Sequence, residues 1–212
     1  MYIGVAGNIG SGKTTLTQLL NSEFGWKPQY ESVEDNPYLE DFYSDMQRWA
    51  FNLQVYFLTK RFQTVQQIRW SKETVVQDRT IYEDAYIFAD NLFQMQLINT
   101  RDFTAYMELF KVMDSFLTRP DLLIYLRASV STLLSQIKHR NRSFEAGIRA
   151  EYLQQLNDKY EAWIDKYEGE LLVIDVDDLD FANNDEDRKR TLDVIQRAIK
   201  HITDNKVING RI

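Results

Sequence analysis

Apolar positions along the chain fall into two kinds of run that take turns. Short, nearly continuous apolar runs occur at Tyr2–Ala6, Thr74–Gln77, Leu122–Leu126 and Leu171–Ile174, with a weaker one at Lys27–Glu31. Runs of that length and character read as strands buried on both faces. Between them, apolar residues recur at three- and four-residue steps over Lys13–Ser22, Trp49–Trp70, Asp84–Asn99, Thr104–Leu117, Val130–Asn141, Glu151–Tyr167 and Asp185–Asp204, which predicts helices. Strands separated by helical crossovers predict a parallel, doubly wound α/β sheet of five strands. Three prolines and eight glycines leave little room for linkers, and no internal repeat is visible, so one domain over residues 1–212 is expected. The acidic stretch Asp175–Asp187 reads as a solvated loop.

Composition narrows the class. Of the 212 residues, 44% are apolar and 27% charged, as in an ordinary soluble protein. A net charge of −7 argues against a nucleic-acid polymer or an anionic membrane as the main partner. There are no cysteines and two distant histidines, His139 and His201, which removes disulfides and makes a histidine-rich metal site a poor expectation. The N-terminus opens straight into a strand-like run and no apolar stretch approaches membrane-spanning length. A cytoplasmic location is the expectation.

The clearest chemistry is Gly7-Asn8-Ile9-Gly10-Ser11-Gly12-Lys13-Thr14, followed by Thr15. It matches the phosphate-loop pattern in its required setting, after a strand and before a helix. Glycines let successive N–H groups converge on one anion, aided by the helix N-terminus. Lys13 should reach the β/γ-phosphates of a nucleotide and the Thr14 hydroxyl should ligate Mg²⁺. A glycine-rich turn before an ordinary helix is the bland alternative. The motif by itself does not separate a kinase from a GTPase, a motor or a switch.

Ligands in open α/β sheets sit at strand ends, where Glu31 and Asp78-Arg79 fall. A carboxylate there accepts a hydroxyl proton or holds the metal, and an arginine stabilises a transferring phosphoryl group. Singly, each reads equally as a surface charge or a helix cap. Phe51, Gln54, Leu58 and Arg61 share one helix face, and Asp84 and Phe88 repeat the mixture on the next helix. Gln54, Arg61 and Asp84 among aromatics suit a flat heterocycle read along its edge. A buried structural Arg–Asp pair fits as well. Lys138, Arg140 and Arg142 cluster ahead of Ser143–Gly147, either as a lid over phosphates or as partners of a helix dipole.

Together these motifs resemble the deoxynucleoside kinase family, over nearly the whole chain from Gly7 to about Phe181. Tyr30-Glu31-Ser32-Val33-Glu34-Asp35-Asn36-Pro37-Tyr38-Leu39 and Ala50-Phe51-Asn52-Leu53-Gln54-Val55-Tyr56-Phe57-Leu58 look most like its bacterial deoxyadenosine kinase branch. The resemblance implies a P-loop kinase fold with an arginine-rich lid and MgATP as phosphoryl donor. It implies Glu31 as general base for the 5′-hydroxyl, and Tyr43 and Glu145 on the sugar 3′-hydroxyl. Gln54 and Asp84 would read the base, Arg61 support them and Phe88 stack on the ring. Arg79 would meet the 5′-oxygen and phosphates, Arg140 and Arg142 would serve as lid arginines, and a homodimer is implied. Departures are Asp78-Arg79-Thr80 where eukaryotic members have Glu-Arg-Ser, Asn36 in place of a tryptophan, and Gln136 where some members carry a lid arginine. The shorter Asp78 is expected to reach Mg²⁺ through water.

Two rivals remain at this stage. A nucleotide-dependent switch would leave Glu31, Gln54 and Arg61 idle, and no Asn-Lys-x-Asp guanine motif is present. A nucleoside monophosphate kinase needs arginines for the acceptor phosphate, where this chain offers the neutral Tyr43, Gln54 and Phe88. For the base, the amide of Gln54 and the carboxylate of Asp84 suit adenine, leave guanine and cytosine open and reject thymine. The resemblance to the bacterial branch implies deoxyadenosine first, deoxyguanosine second and deoxycytidine third.

Overall fold

A computed structural model describes residues 1–31, 36–142, 145 and 147–208, without the side chains of 205–208. Residues 32–35 of the Tyr30–Leu39 match, and 143, 144 and 146 of the basic loop, lie outside the described residues. Five parallel strands form one sheet: β1 (Tyr2–Gly7), β2 (Lys27–Gln29), β3 (Val75–Asp78), β4 (Leu122–Arg127) and β5 (Leu171–Asp175), in the order β2-β3-β1-β4-β5. The order reverses at β1, with Val5 level with Asp78 on one side and Ile124 on the other. Ligands bind beyond the carboxyl ends of strands at such a reversal.

Alternation along the strands divides the core. Ile3, Val5, Leu122, Ile124 and Leu126 pack on α1 (Lys13–Phe24), α7 (Val130–Arg140) and α9 (Asp185–Ile208). Ala6, Leu123 and Tyr125 face α8 (Ala150–Ile164) through Leu156, Tyr160 and Ile164. Each fully buried Leu or Ile contributes about 1.5–3 kcal/mol relative to exposure. Beyond the sheet, α2 (Leu39–Ser44) and α3 (Met46–Arg69) enclose a third apolar cluster with Leu92 and Ile98.

Several boundaries differ from the sequence expectation for local reasons. The helix expected over Asp84–Asn99 starts earlier and ends earlier. It runs as α4 (Ile81–Glu83), a π-helical Asp84–Ala89 and α5 (Asp90–Gln94). Asn99 belongs to the next element, because its side chain accepts from Asp102 N at 2.9 Å and caps α6 (Thr100–Asp114). α3 starts at Met46 because Asp45 accepts from Arg48 N at 3.0 Å. β2 ends at Gln29, so Glu31 stands two residues past it. The six-residue α2 is too short to show a helical period and was not anticipated. No described helix is long and apolar enough to cross a membrane.

Candidate active site

The loop between β1 and α1 depends on glycine. Gly7, Gly10 and Gly12 have φ of 152°, 87° and 92°. A Cβ on Gly7 would stand 2.5 Å from Ser11 Oγ, and one on Gly10 2.9 Å from the Leu133 carbonyl, so this tight curl excludes side chains. The loop is braced by Asn8, whose Nδ2 donates to the Leu153 carbonyl at 2.9 Å and to Asn157 Oδ1 at 2.7 Å, while its Oδ1 accepts from Ile9 N. Lys13 Nζ donates across the loop to the Asn8 carbonyl at 2.9 Å. Burial, and then the charge of Arg79, pull this ammonium down to about 8, a state that an arriving anion reverses.

Thr14 Oγ1 donates to Asp78 Oδ2 at 2.5 Å, and Asp78 Oδ1 is buried with no hydrogen-bond partner among the described residues. Hard oxygen donors, one of them unsatisfied, beside a phosphate cradle fit Mg²⁺.

One pocket beside the loop gathers most of the residues singled out in the sequence. It is lined by Lys13, Glu31, Tyr43, Gln54, Arg79, Asp84, Phe88, Arg140, Arg142 and Glu145, with Leu39, Phe42, Leu53, Phe57 and Tyr152 as further walls. Tyr43 arrives on α2, Gln54 on α3, and Asp84 and Phe88 on the π-helical turn. Arg61 sits behind this wall. Its Nε and NH2 reach Asp84 at 3.0 and 3.3 Å, NH2 reaches Glu31 at 3.0 Å, and NH1 donates to the Asp78 carbonyl at 3.1 Å. Asp84 therefore belongs to a buried ion pair with Arg61 and at the same time lines the pocket with Gln54. Gln54 Oε1 is buried and has no partner among the described residues.

Arg79 Nε stands 2.9 Å from Glu31 Oε1, and its guanidinium lies over the Phe88 ring at 4.2 Å. Its backbone is held in the left-handed region, at φ 69°, by Arg79 N donating to the Val5 carbonyl at 2.9 Å. Burial pushes the Glu31 carboxyl up, but Arg79, Arg61 and Lys13 outweigh it and bring it down to about 2. For Asp84 burial wins, and its carboxyl is raised against the pull of Arg61. On the lid side, Arg140 NH2 reaches both Glu145 oxygens at 2.6 Å, and Arg142 NH1 stands 3.7 Å away.

A second cavity shares Gly10 with the first. Ser11, Gly12, Thr15, Thr132, Gln136 and His139 line it together with Val176 and Leu179–Asn183. This corrects the solvated-loop reading of Asp175–Asp187: Val176 and Phe181 are buried, and Phe181 abuts Gly12. The apolar spacing Val176, Leu179, Phe181 inside the acidic run was the missed signal. Gln136 faces this cavity rather than the lid arginines, and Asn36 forms a turn by accepting from Tyr38 N at 2.9 Å. Sequence reasoning also missed Tyr152, for which no pattern exists, and the fully buried Glu83, for which Thr80-x-x-Glu83 is a capping-box signature.

The family model described as deoxynucleoside kinase matches residues 3–200. The chain is 37% identical over 200 residues to the deoxyadenosine/deoxycytidine kinase of Bacillus subtilis (strain 168), covering 93% of this chain and 92% of that protein. It is 41% identical over 182 residues to the deoxyadenosine kinase of Dictyostelium discoideum, covering 86% and 74%, and 37% identical over 210 residues to a deoxyguanosine kinase of Lactobacillus acidophilus, covering 94% and 91%. Among solved structures, the deoxyadenosine kinase from M. mycoides with dCMP and a flexible dCDP bound superposes with a TM-score of 0.83 at 30% identity, covering 95% of this chain and all of that one. The five-stranded parallel sheet flanked by helices is accordingly the P-loop kinase fold.

Proposed function

The chain belongs to the deoxynucleoside kinase family, and from that membership we propose that it transfers the γ-phosphoryl group of ATP to the 5′-hydroxyl of a deoxynucleoside, preferring deoxyadenosine to deoxyguanosine and deoxyguanosine to deoxycytidine. The observation that carries the preference is Gln54 Oε1, a buried acceptor with no partner among the described residues. Its amide offers an acceptor beside a donor, the pattern that pairs with the N6 amino group and adjacent ring nitrogen of adenine. Asp84, held by Arg61, accepts from an amino group and would face the O4 carbonyl of thymine as acceptor against acceptor. Guanine fits with the Gln54 amide rotated so that Nε2 donates to O6, and the polar groups tolerate cytosine. Relatives named for each of the three nucleosides are consistent with one pocket plan serving all of them.

Phe88 stacks on the base, and Tyr43 and Glu145 hold the 3′-hydroxyl. Glu31 accepts the hydrogen of the 5′-hydroxyl. With its carboxyl near 2 it is ionised at every working pH and only weakly basic. It therefore aims the hydroxyl for in-line attack and takes the proton late, as the bond to phosphorus forms. The loop amides and Lys13 hold the donor phosphates, and Thr14 and Asp78 would hold Mg²⁺, which would supply positive charge beside those phosphates. Arg79, Arg140 and Arg142 spread the charge that develops on the transferring group and, with the lid, exclude water. Residues 1–212 act as one kinase domain in the cytoplasm, as a homodimer.

The test is to offer the protein MgATP with each of the four natural deoxynucleosides and to measure kcat/KM for monophosphate formation. A thymidine value equal to or above that for deoxyadenosine would overturn the reading of Asp84 and Arg61.

A further inference from the structure

Glu83 has no surface exposure and lines neither cavity, yet it makes four polar contacts. Oε2 accepts from Thr80 N at 2.7 Å and Thr80 Oγ1 at 3.2 Å. Those contacts are an ordinary helix cap and need only one oxygen. Oε1 turns the other way, to Gly7 N at 3.3 Å and the Tyr160 hydroxyl at 2.7 Å. The Tyr160 hydroxyl is also 2.8 Å from the Gly7 carbonyl. A carboxyl and a phenol thus join three elements: the first glycine of the phosphate loop, the residue that follows the strained Arg79, and α8.

We propose that Glu83 and Tyr160 are positioning residues, a hydrogen-bonded latch that sets the phosphate loop against Arg79. A phenol has one hydrogen, and here two acceptors stand within reach of it. All contacts are satisfied together when the Glu83 carboxyl is protonated, donating to Tyr160 while Tyr160 donates to the Gly7 carbonyl. The surroundings suit that state. Burial raises the Glu83 carboxyl against the opposing charges of Arg79 and Lys13. A neutral carboxyl gives the latch directional bonds without placing another anion beneath the donor phosphates. The two strand ends it ties are neighbours in the sheet, with Val5 level with Asp78. Small shifts of Gly7 or Thr80 would thus pass straight to the amides that hold phosphate and to the Arg79 guanidinium, where about 1 Å of misplacement costs on the order of 10²-fold in rate.

The inference rests on the roles given above to the phosphate loop and Arg79, so its test includes both. Tyr160→Phe keeps the ring stacked on Tyr125, 5.7 Å away at 16°, and removes only the hydroxyl. It should fold with a near-normal Tm and lose about tenfold in kcat, with the Kd for deoxynucleoside unchanged. Glu83→Ala should lose about 10²-fold in kcat, and Glu83→Gln, which still accepts from Thr80 and donates to Tyr160 but no longer accepts from Gly7 N, should recover part of that loss. Arg79→Ala is the control for the underlying reading and should be slower still. Normal kcat in folded Tyr160→Phe beside an impaired Arg79→Ala would overturn the latch alone. A Glu83→Gln variant as slow as Glu83→Ala would overturn the protonated state. Normal kcat in Arg79→Ala would overturn the latch and the role of Arg79 together.

Discussion

The Arg61 guanidinium stands 3.0 Å from the Glu31 carboxylate. Because the same cation holds Asp84 at 3.0 Å, the end of the pocket assigned to the base and the end assigned to the 5′-hydroxyl are ordered by one side chain. Arg61→Met should therefore damage both. Leaving Asp84 buried without its partner costs about 3–5 kcal/mol, the range for one half of a buried pair. Urea titration measures the stability loss, and kcat/KM for deoxyadenosine should fall with it. A variant as stable and as active as the parent would show that the pair is dispensable.

Glu31→Gln removes the charge but keeps the shape. We expect kcat to drop by about 10²–10⁴-fold, the range for a positioned general base, while ATP affinity holds. Near-normal single-turnover rates would take Glu31 out of the acceptor role. The low Glu31 carboxyl has a pH consequence as well. Its favourable contribution to stability is present above the unfolded value of about 4.5 and is lost only as pH falls toward 2. Glu31 should therefore put no acid limb into the parent's kcat profile between pH 5 and 7, and a limb there that disappears in Glu31→Gln would count against this.

Lys13 has the same sign in a higher pH window. Its ammonium is depressed to about 8 in the folded protein, so the unfolded chain binds that proton more tightly and stability from this group rises between about pH 8 and 10.5. Binding ATP restores the charge, which predicts proton uptake at pH 8, seen as a dependence of calorimetric binding enthalpy on the buffer's ionisation heat. Lys13→Ala should bind ATP poorly and melt no lower than the parent. Intact ATP affinity, or uptake that is absent in the parent, would count against the assignment.

The proposed homodimer has a candidate surface. Tyr86, Leu109, Val112 and Phe116 remain exposed on the α4–α6 segment and the residues that follow, Val112 and Phe116 at 59% each. Large contiguous apolar surfaces mark sites of association. Light scattering at micromolar concentration should give twice the single-chain mass, and Val112→Asp with Phe116→Asp should halve it. A parent protein of single-chain mass would refute the dimer.

Legibility in the sequence tracked how local each signal was. Gly7 to Thr14 is contiguous and required one known pattern. Gln54 and Arg61 could be paired because seven residues is nearly two helical turns. Tyr43 was reachable only by resemblance, since its helix is too short for periodicity. Val176, Leu179 and Phe181 were hidden by the acids between them, and composition alone misassigned the segment. Glu83 was hidden differently. It stands next to Asp84, and a capping glutamate carries no mark in sequence that its second oxygen crosses to another strand.

The π-helical turn from Asp84 to Ala89 makes this part of the protein sensitive to chain length in a way that ordinary substitutions do not reveal. Such a turn holds an additional residue relative to an α-helical one, and here that residue is absorbed between the carboxylate paired with Arg61 and the ring beneath Arg79. Removing a single residue from Ala85–Ile87 would let the segment relax into a regular, well-formed helix. Phe88 would then stand three residues after Asp84 instead of four, and its ring would shift along and around the helix from its place under Arg79. A deletion at this position would thus spare the scaffold and cost the pocket its alignment, whereas a deletion in most surface loops would spare both.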